Sequence, residues 1–245
     1  MLIQKESKIG NIVAENFRTA QIFEDYGIDF CCGGKKSVSE ACGEKGINPD
    51  ELTGKLTELT RNQNNTHNDY NSWELDFLID YIINNHHGYV KKSLPVISGH
   101  AEKVVLKHGT NHPEVIKISE LFSGIKAELE AHMQKEELML FPYIKNLVEA
   151  ERKSFKIPLP PFGSIENPIQ VMEAEHDSAG NAIGEINSLS SSYTLPEDAC
   201  ATFGVLYQEL KDFEDDLHTH IHLENNILFP KAIELEKMLT LEKAL

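Results

Sequence analysis

Cysteine, positive charge, long apolar runs and strand patterns are all scarce in this chain, and each scarcity excludes something. Four cysteines in 245 residues, Cys31, Cys32, Cys42 and Cys200, are too few and too scattered for a disulfide framework, so reduced thiols are expected. None of them makes a CxxC, which disfavours a zinc ribbon or a thioredoxin-type pair. Only 23 Lys plus Arg stand against 39 Asp plus Glu, and the resulting charge of -16 repels phosphate backbones and anionic lipid. Nucleic acid and membrane surfaces are therefore not expected partners. No run approaches the roughly 18 apolar residues of a membrane span. The first residues, MLIQKESKIG, lack the apolar segment of a signal peptide, so a cytoplasmic location is the expectation. What is abundant is histidine: eleven, all of them after residue 66 and many near a glutamate.

The chain is long enough for one large domain and one small one. Residues 1–62 carry short helical patterns broken by glycine. IGNIVAENFRTAQIFEDYGI places apolar residues at Ile9, Ile12, Val13, Phe17, Ile22 and Phe23, and DFCCGG then interrupts it. NPDELTGKLTEL starts with Asn48 as N-cap, Pro49 at the first helical position and Glu51 in the first turn. The asparagine-rich stretch RNQNNTHNDYN has almost nothing to bury, and residues 63–71 read as a linker. The remainder, 72–245, holds four long helical patterns: Ser72 to about His100, Pro113 to about Arg152, Pro168 to about Ser190, and about Pro196 to Leu241. The four prolines of KIPLPPFGSIENP forbid a continuous helix between the second and third. The expected fold is all-α, an antiparallel four-helix bundle preceded by a small helical domain.

Two segments repeat. HMQKEELMLFP from His132 and HIHLENNILFP from His220 agree at the histidine, at the glutamate four residues on, and at the closing Leu-Phe-Pro. His132 thus matches His220, and Glu136 matches Glu224, while Glu137 and His222 fall outside the match. Residues four apart on a helix differ by about 40° and share a face. In the fourth helix Phe213, Leu217, His220, Glu224 and Ile227 form one stripe, with His218 and His222 directed away and expected to be solvated. In the second, Ile125, Leu129, His132, Glu136 and Met139 do the same. His176 sits in the seam of Ile169, Met172, Ala179 and Ile183. In NNHHGYV the pattern is ambiguous: His86 shares a face with Ile79, Ile82, Ile83 and Val90, His87 with Ile83, Val90 and Leu94, and periodicity slightly prefers His86.

A single seam histidine is commonly a hydrogen-bonded core residue. The HxxxE pattern repeated on two helices is harder to explain that way, because buried carboxylates are costly unless each charge has a partner. Cations in the core remove the cost. One histidine per helix and two bridging glutamates suit a pair of divalent first-row metals with open positions, and the absence of thiolate favours iron or manganese over structural zinc.

At DFCCGGK, HHGYV, HMQKEELMLFP, MEAEHDSAG and HIHLENNILFP the sequence resembles the iron-sulfur cluster repair di-iron proteins, which join a short cysteine-bearing domain to a hemerythrin-like bundle. The resemblance covers nearly the whole chain. It implies metal ligands at His87, His132, His176 and His220 with bridging carboxylates at Glu136 and Glu224, and so places His87 ahead of His86. The implied cofactor is two non-haem iron ions, carboxylate-bridged, with an oxo or hydroxo bridge. Glu175 would lie beside a ligand or along an access path, and Cys31 and Cys32 would be a working thiol pair, with Cys42 and Cys200 structural. His108 in VVLKHGTNHP matches a family histidine that is not an established ligand. The implied function is repair of iron-sulfur clusters damaged by nitric oxide or oxidants, by iron donation. Reduction of nitric oxide, or an oxygen or nitric oxide sensor or carrier, are the alternatives, and the implied partners are damaged iron-sulfur proteins and a second copy of the chain.

Overall fold

The structure, a computed structural model, describes residues 3–61, 69–158 and 160–241. Four short helices come first: α1 (Ile9–Glu15), α2 (Thr19–Asp25), α3 (Val38–Lys45) and α4 (Pro49–Arg61). The pattern read across residues 9–28 breaks at Asn16, whose side-chain oxygen accepts from the Arg18 N–H (3.2 Å) and whose carbonyl accepts from the Thr19 hydroxyl (2.8 Å). Such local bonds compete with helix continuation. A reciprocal cap between Ser37 and Glu40 starts α3, and Gly46, at φ 68°, ends it. Asn48 caps α4 by accepting from the Asp50 N–H at 3.0 Å.

Four long helices follow, α5 (75–108), α6 (114–153), α7 (Glu166–Leu189) and α8 (201–241), joined by connections short enough to make neighbours antiparallel. Helix α5 runs on beyond its expected end near His100 to His108, carrying Pro95 in its interior. Among the described residues the only extended pairing is one isolated bridge between Lys8 and Ser37, and no helix is long and apolar enough to cross a membrane.

Three of the long helices contain a π turn: Ile82–His87 in α5, Glu136–Leu140 in α6 and Glu224–Leu228 in α8. A π turn holds one residue more than an α turn, so the face beyond it advances by about 100°. This corrects the seam expected on α6. Met139 is 38% exposed and Leu140 is fully buried in its place.

The buried apolar side chains form two clusters. One holds Val90, Leu94, Ile118, Phe122, Ile183 and Phe213 and continues into α1 to α4 through Ile9, Ile12, Phe23 and Phe30. The other holds Leu78, Ile82, Phe141, Ile144, Ile169 and Phe229. Each such side chain contributes roughly 1.5–3 kcal/mol by its burial, so these clusters hold the bundle together. Between them, in sequence and along the bundle, lies a layer of buried histidines and glutamates.

The N-terminal helices dock on α7 and α8. Asn226 donates to the Phe30 and Cys31 carbonyls (3.3 and 3.1 Å), and Lys35 pairs with Glu173 at 2.7 Å. A Cβ added at Gly10 or Gly34 would lie 2.2 or 2.4 Å from the Asn226 side-chain oxygen, so both positions need glycine for this approach. The docking also corrects the expectation that His222 is solvated. It is fully buried, with its ring against Phe17 and Phe30, and Phe30 also meets His218. Residues 63–68 of the expected linker lie outside the described residues. Tyr70, at its far end, is half-buried and packs edge-on against Phe17 and Trp73, more than a purely polar connection would bury.

Candidate metal centre

Two groups of four donor-bearing side chains meet in the polar layer: His87, Glu136, His220 and Glu224, and His132, Glu136, His176 and Glu224. All six residues are buried, and within each group the donor atoms lie within 4.8 Å of one another. Glu136 and Glu224 belong to both groups. Each of the four bundle helices therefore delivers one histidine, and α6 and α8 each add the shared carboxylate.

The hydrogen bonds fix which way the imidazoles face. His87 Nδ1 donates to Glu137 Oε1 (2.7 Å), His132 Nδ1 to Glu175 Oε2 (2.9 Å) and His176 Nδ1 to Asn225 Oδ1 (2.8 Å). A carboxylate can only accept, so for His87 and His132 the Nδ1 atom carries the proton and the Nε2 lone pair faces inward. The same arrangement aims histidines at metals in general. His132 Nε2 and His176 Nε2 then stand 3.0 Å apart. A shared proton or a metal cation between them accounts for so short an approach.

The carboxylates say the same. Elsewhere in the bundle buried acids are satisfied: Glu236 accepts from Tyr143 (2.7 Å), Ser164 (2.9 Å) and the Ile165 N–H (3.1 Å), and Glu214 accepts from Asn187 at 2.9 Å. In the polar layer both oxygens of Glu136, Glu224 Oε2 and His87 Nε2 have no hydrogen-bond partner. Their neighbours are nonetheless near. Glu136 Oε2 is 3.3 Å from His132 Nε2 and 3.4 Å from His87 Nε2, and Glu224 Oε2 is 3.2 Å from His176 Nε2. Donors about 2.1 Å from one ion are about 3.0 Å apart at a right angle and about 3.4 Å apart at a tetrahedral angle. The spacings are those of donors around cations.

Electrostatics reinforce the point. Burial opposes charge on His87 and His132, but the facing carboxylates outweigh it and raise their pKa values to about 10 and about 9. Burial likewise opposes ionisation of Glu224, yet His220, His176 and His87 hold its carboxyl well below the usual range. His220 itself is pushed down by burial. The layer is built to keep two carboxylates ionised in the presence of positive charge.

The ambiguity at NNHHGYV resolves on geometry. His87 Nε2 points at Glu136 and Glu224, whereas His86 lies behind the layer, hydrogen-bonded to Asp216 (2.9 Å) and stacked on His220. The π turn at 82–87 accounts for the difference, because a count at 3.6 residues per turn lags by one position there.

Glu175 lies on the outer side of His132, with Lys135 paired to it and a third of its side chain exposed. Cys31 and Cys32 are free, with their sulfurs 3.9 Å apart. The Cys31, Cys32 and Gly33 N–H groups all donate to the Asp29 carboxylate (2.9–3.0 Å). The Cys32 sulfur lies 3.6 Å from the His176 carbonyl, so the thiols abut the metal layer. Cys31 is held protonated: its bond to Cys32, burial and the Asp29 charge raise its pKa well above that of a free thiol. Glu137, set aside by the repeat, and Asn225 were not expected to take part. A signal for them exists, because each directly follows a shared glutamate and each holds a histidine of a neighbouring helix.

A family model described as the hemerythrin HHE cation-binding domain matches residues 78–232, and one for ScdA_N, a domain of unknown function, matches residues 5–60. The chain is 36% identical over 229 residues to a "Probable iron-sulfur cluster repair protein" of Haemophilus influenzae, an overlap of 93% of this chain and 97% of that protein. The chain belongs to the iron-sulfur cluster repair protein family. Other members similar to it are the iron-sulfur cluster repair proteins YtfE of Dickeya chrysanthemi and Pectobacterium carotovorum, each 34% identical over 95% of this chain and 99% of theirs. The hemerythrin match, a cation-binding domain, spans all six side chains of the polar layer.

Proposed function

We propose that the chain is a di-iron protein that restores damaged iron-sulfur clusters, with His87 and His220 terminating one iron, His132 and His176 the other, and Glu136 and Glu224 bridging them. The observation that carries this reading is the pair of four-donor groups sharing two carboxylates, three of whose four oxygens have no hydrogen-bond partner. The set is nitrogen and oxygen only, which suits iron better than a closed thiolate site. When bound, two ferrous ions would supply two electrons and open positions for a small molecule. The relatives' names point to clusters as the substrate.

The chain's own residues divide the work. Glu137, Glu175 and Asn225 hold the imidazoles in the tautomer that presents Nε2 inward. Glu175 and Lys135, both part-exposed, form the charged exit from the His132 side. Cys32, lying over the His176 backbone, would take up iron leaving the layer, while Asp29 fixes the loop that presents it. Iron leaving the layer is cargo in this scheme.

The test is reactivation of an enzyme whose cluster has been damaged by nitric oxide. The iron-loaded protein should restore activity and the metal-free protein should not, and E224A should retain less than half the iron of the wild type by elemental analysis. Equal repair by metal-free protein would overturn iron donation. Unchanged iron in E224A would overturn the ligand assignment.

A further inference from the structure

About 30 Å along α5 from His87, at 1.5 Å per residue, a second group of donors gathers at the other end of the bundle. His108 ends α5, His112 lies in the turn to α6, and Asp198 lies in the connection before α8; their donor atoms come within 4.8 Å of one another. The His112 N–H bonds back to the His108 carbonyl (2.8 Å), so the two histidines keep helical i, i+4 spacing beyond the helix end. Phe203, fully buried, packs against both rings with centroids 5.3 and 5.6 Å away.

The simplest account of this cluster is an ion pair, since His112 reaches Glu114 Oε1 (2.9 Å) through Nδ1 and Asp198 Oδ1 (2.8 Å) through Nε2. It leaves His108 unexplained. That residue is 92% buried, and its Nε2 is buried with no hydrogen-bond partner. An imidazole nitrogen in this position costs free energy unless something occupies it. Cys200, the residue at the start of α8, adjoins the group. The Phe203 N–H and the His108 ring both lie against its sulfur.

We propose that His108, His112 and Asp198 form a second, mononuclear site for a first-row divalent cation of the zinc class, with Cys200 supplying a fourth, thiolate ligand. Two imidazoles, a carboxylate and a thiolate make up a tetrahedral set, unlike the sulfur-free layer at the other end. On binding, Cys200 and the His112 Nε2 each release a proton to solvent, and Asp198 exchanges the His112 ring for the ion. Bound there, the ion ties the end of α5, the turn into α6 and the start of α8 together. This site is independent of the iron centre and of the repair reading.

Cobalt(II) is the probe, because a cobalt–thiolate bond gives charge-transfer absorption in the near ultraviolet that nitrogen and oxygen ligands do not. Titration of the full-length protein should develop this band, and added zinc(II) should abolish it. C200S should lose the band, whereas C31S/C32S and E224A should keep it. D198N, whose side chain in the wild type is 57% exposed and whose replacement spares the core, should weaken cobalt binding by on the order of tenfold or more. H112A should do the same, with circular dichroism confirming an intact fold. Absence of the band, its survival in C200S, or unchanged affinity in both D198N and H112A would overturn the site.

Discussion

Asn225 has no charge, yet its hydrogen bond to His176 decides where that ring points. Removing such a partner typically weakens metal binding 10- to 100-fold. N225A should therefore hold less metal than wild type when free metal is limiting, and E175Q, which keeps an acceptor for His132, should lose less than E175A; elemental analysis after dialysis at fixed free iron checks both. At this scale five of the six layer residues were legible in the sequence. The repeat aligned His132 with His220 and Glu136 with Glu224, and burial at a seam made cations the natural partner. His176 followed from its own seam. His87 did not, because a π turn is a backbone event with no compositional mark. Glu137 and Asn225 carried only the signal of following a shared glutamate; that each serves a histidine on a different helix is not written in the spacing within one helix.

Two predictions belong to the helices. The π turn in α6 buries Leu140 where uninterrupted helical counting would bury Met139. L140A should destabilise by about 2–5 kcal/mol, as a buried leucine does, and M139A by about 0.5 kcal/mol or less, which urea unfolding of the two variants distinguishes. Equal losses would mean the helix is regular. The second concerns Arg152, which grips Asp76 with both terminal nitrogens (2.6 and 3.1 Å) and joins the far end of α6 to the start of α5. Hydrogen bonding to Arg152 lowers the Asp76 pKa below its usual value. A depressed carboxyl contributes stability above the unfolded pKa near 4, and that contribution is lost as pH falls through the folded value. R152A should thus melt slightly lower than wild type at pH 7, the pair being exposed, and the two should converge as pH falls below about 4. The helices themselves were legible from period and prolines. The end of α5 was not: the helix continues past the expected end near His100 to His108, with Pro95 in its interior.

For the whole molecule the layer of acids and imidazoles between two apolar clusters makes stability depend on cations. Ligand bound only to the folded state adds about 2.7 kcal/mol at a hundred times its dissociation constant. Chelator-stripped protein should unfold at a lower temperature in calorimetry, and added metal should raise it in a concentration-dependent way. A melting temperature indifferent to metal would contradict the polar layer's proposed role. Docking of the N-terminal helices gives a separate test. In G34A the new methyl group meets Asn226, which is anchored to two carbonyls and cannot yield. The variant should lose about 1–3 kcal/mol, and G34A/N226A should lose less than the sum of the single changes, because the clash is gone. Composition and motifs announced a cysteine-bearing segment, but nothing local in the sequence could show that it would cover His222. The three π turns, finally, place a limit on chain length. Deleting one residue from any of them would close it to an ordinary turn and swing all that follows by about 100°, aiming polar side chains at the core, so tolerated insertions and deletions belong in the connections, such as 154–165, and not at the level of the centre.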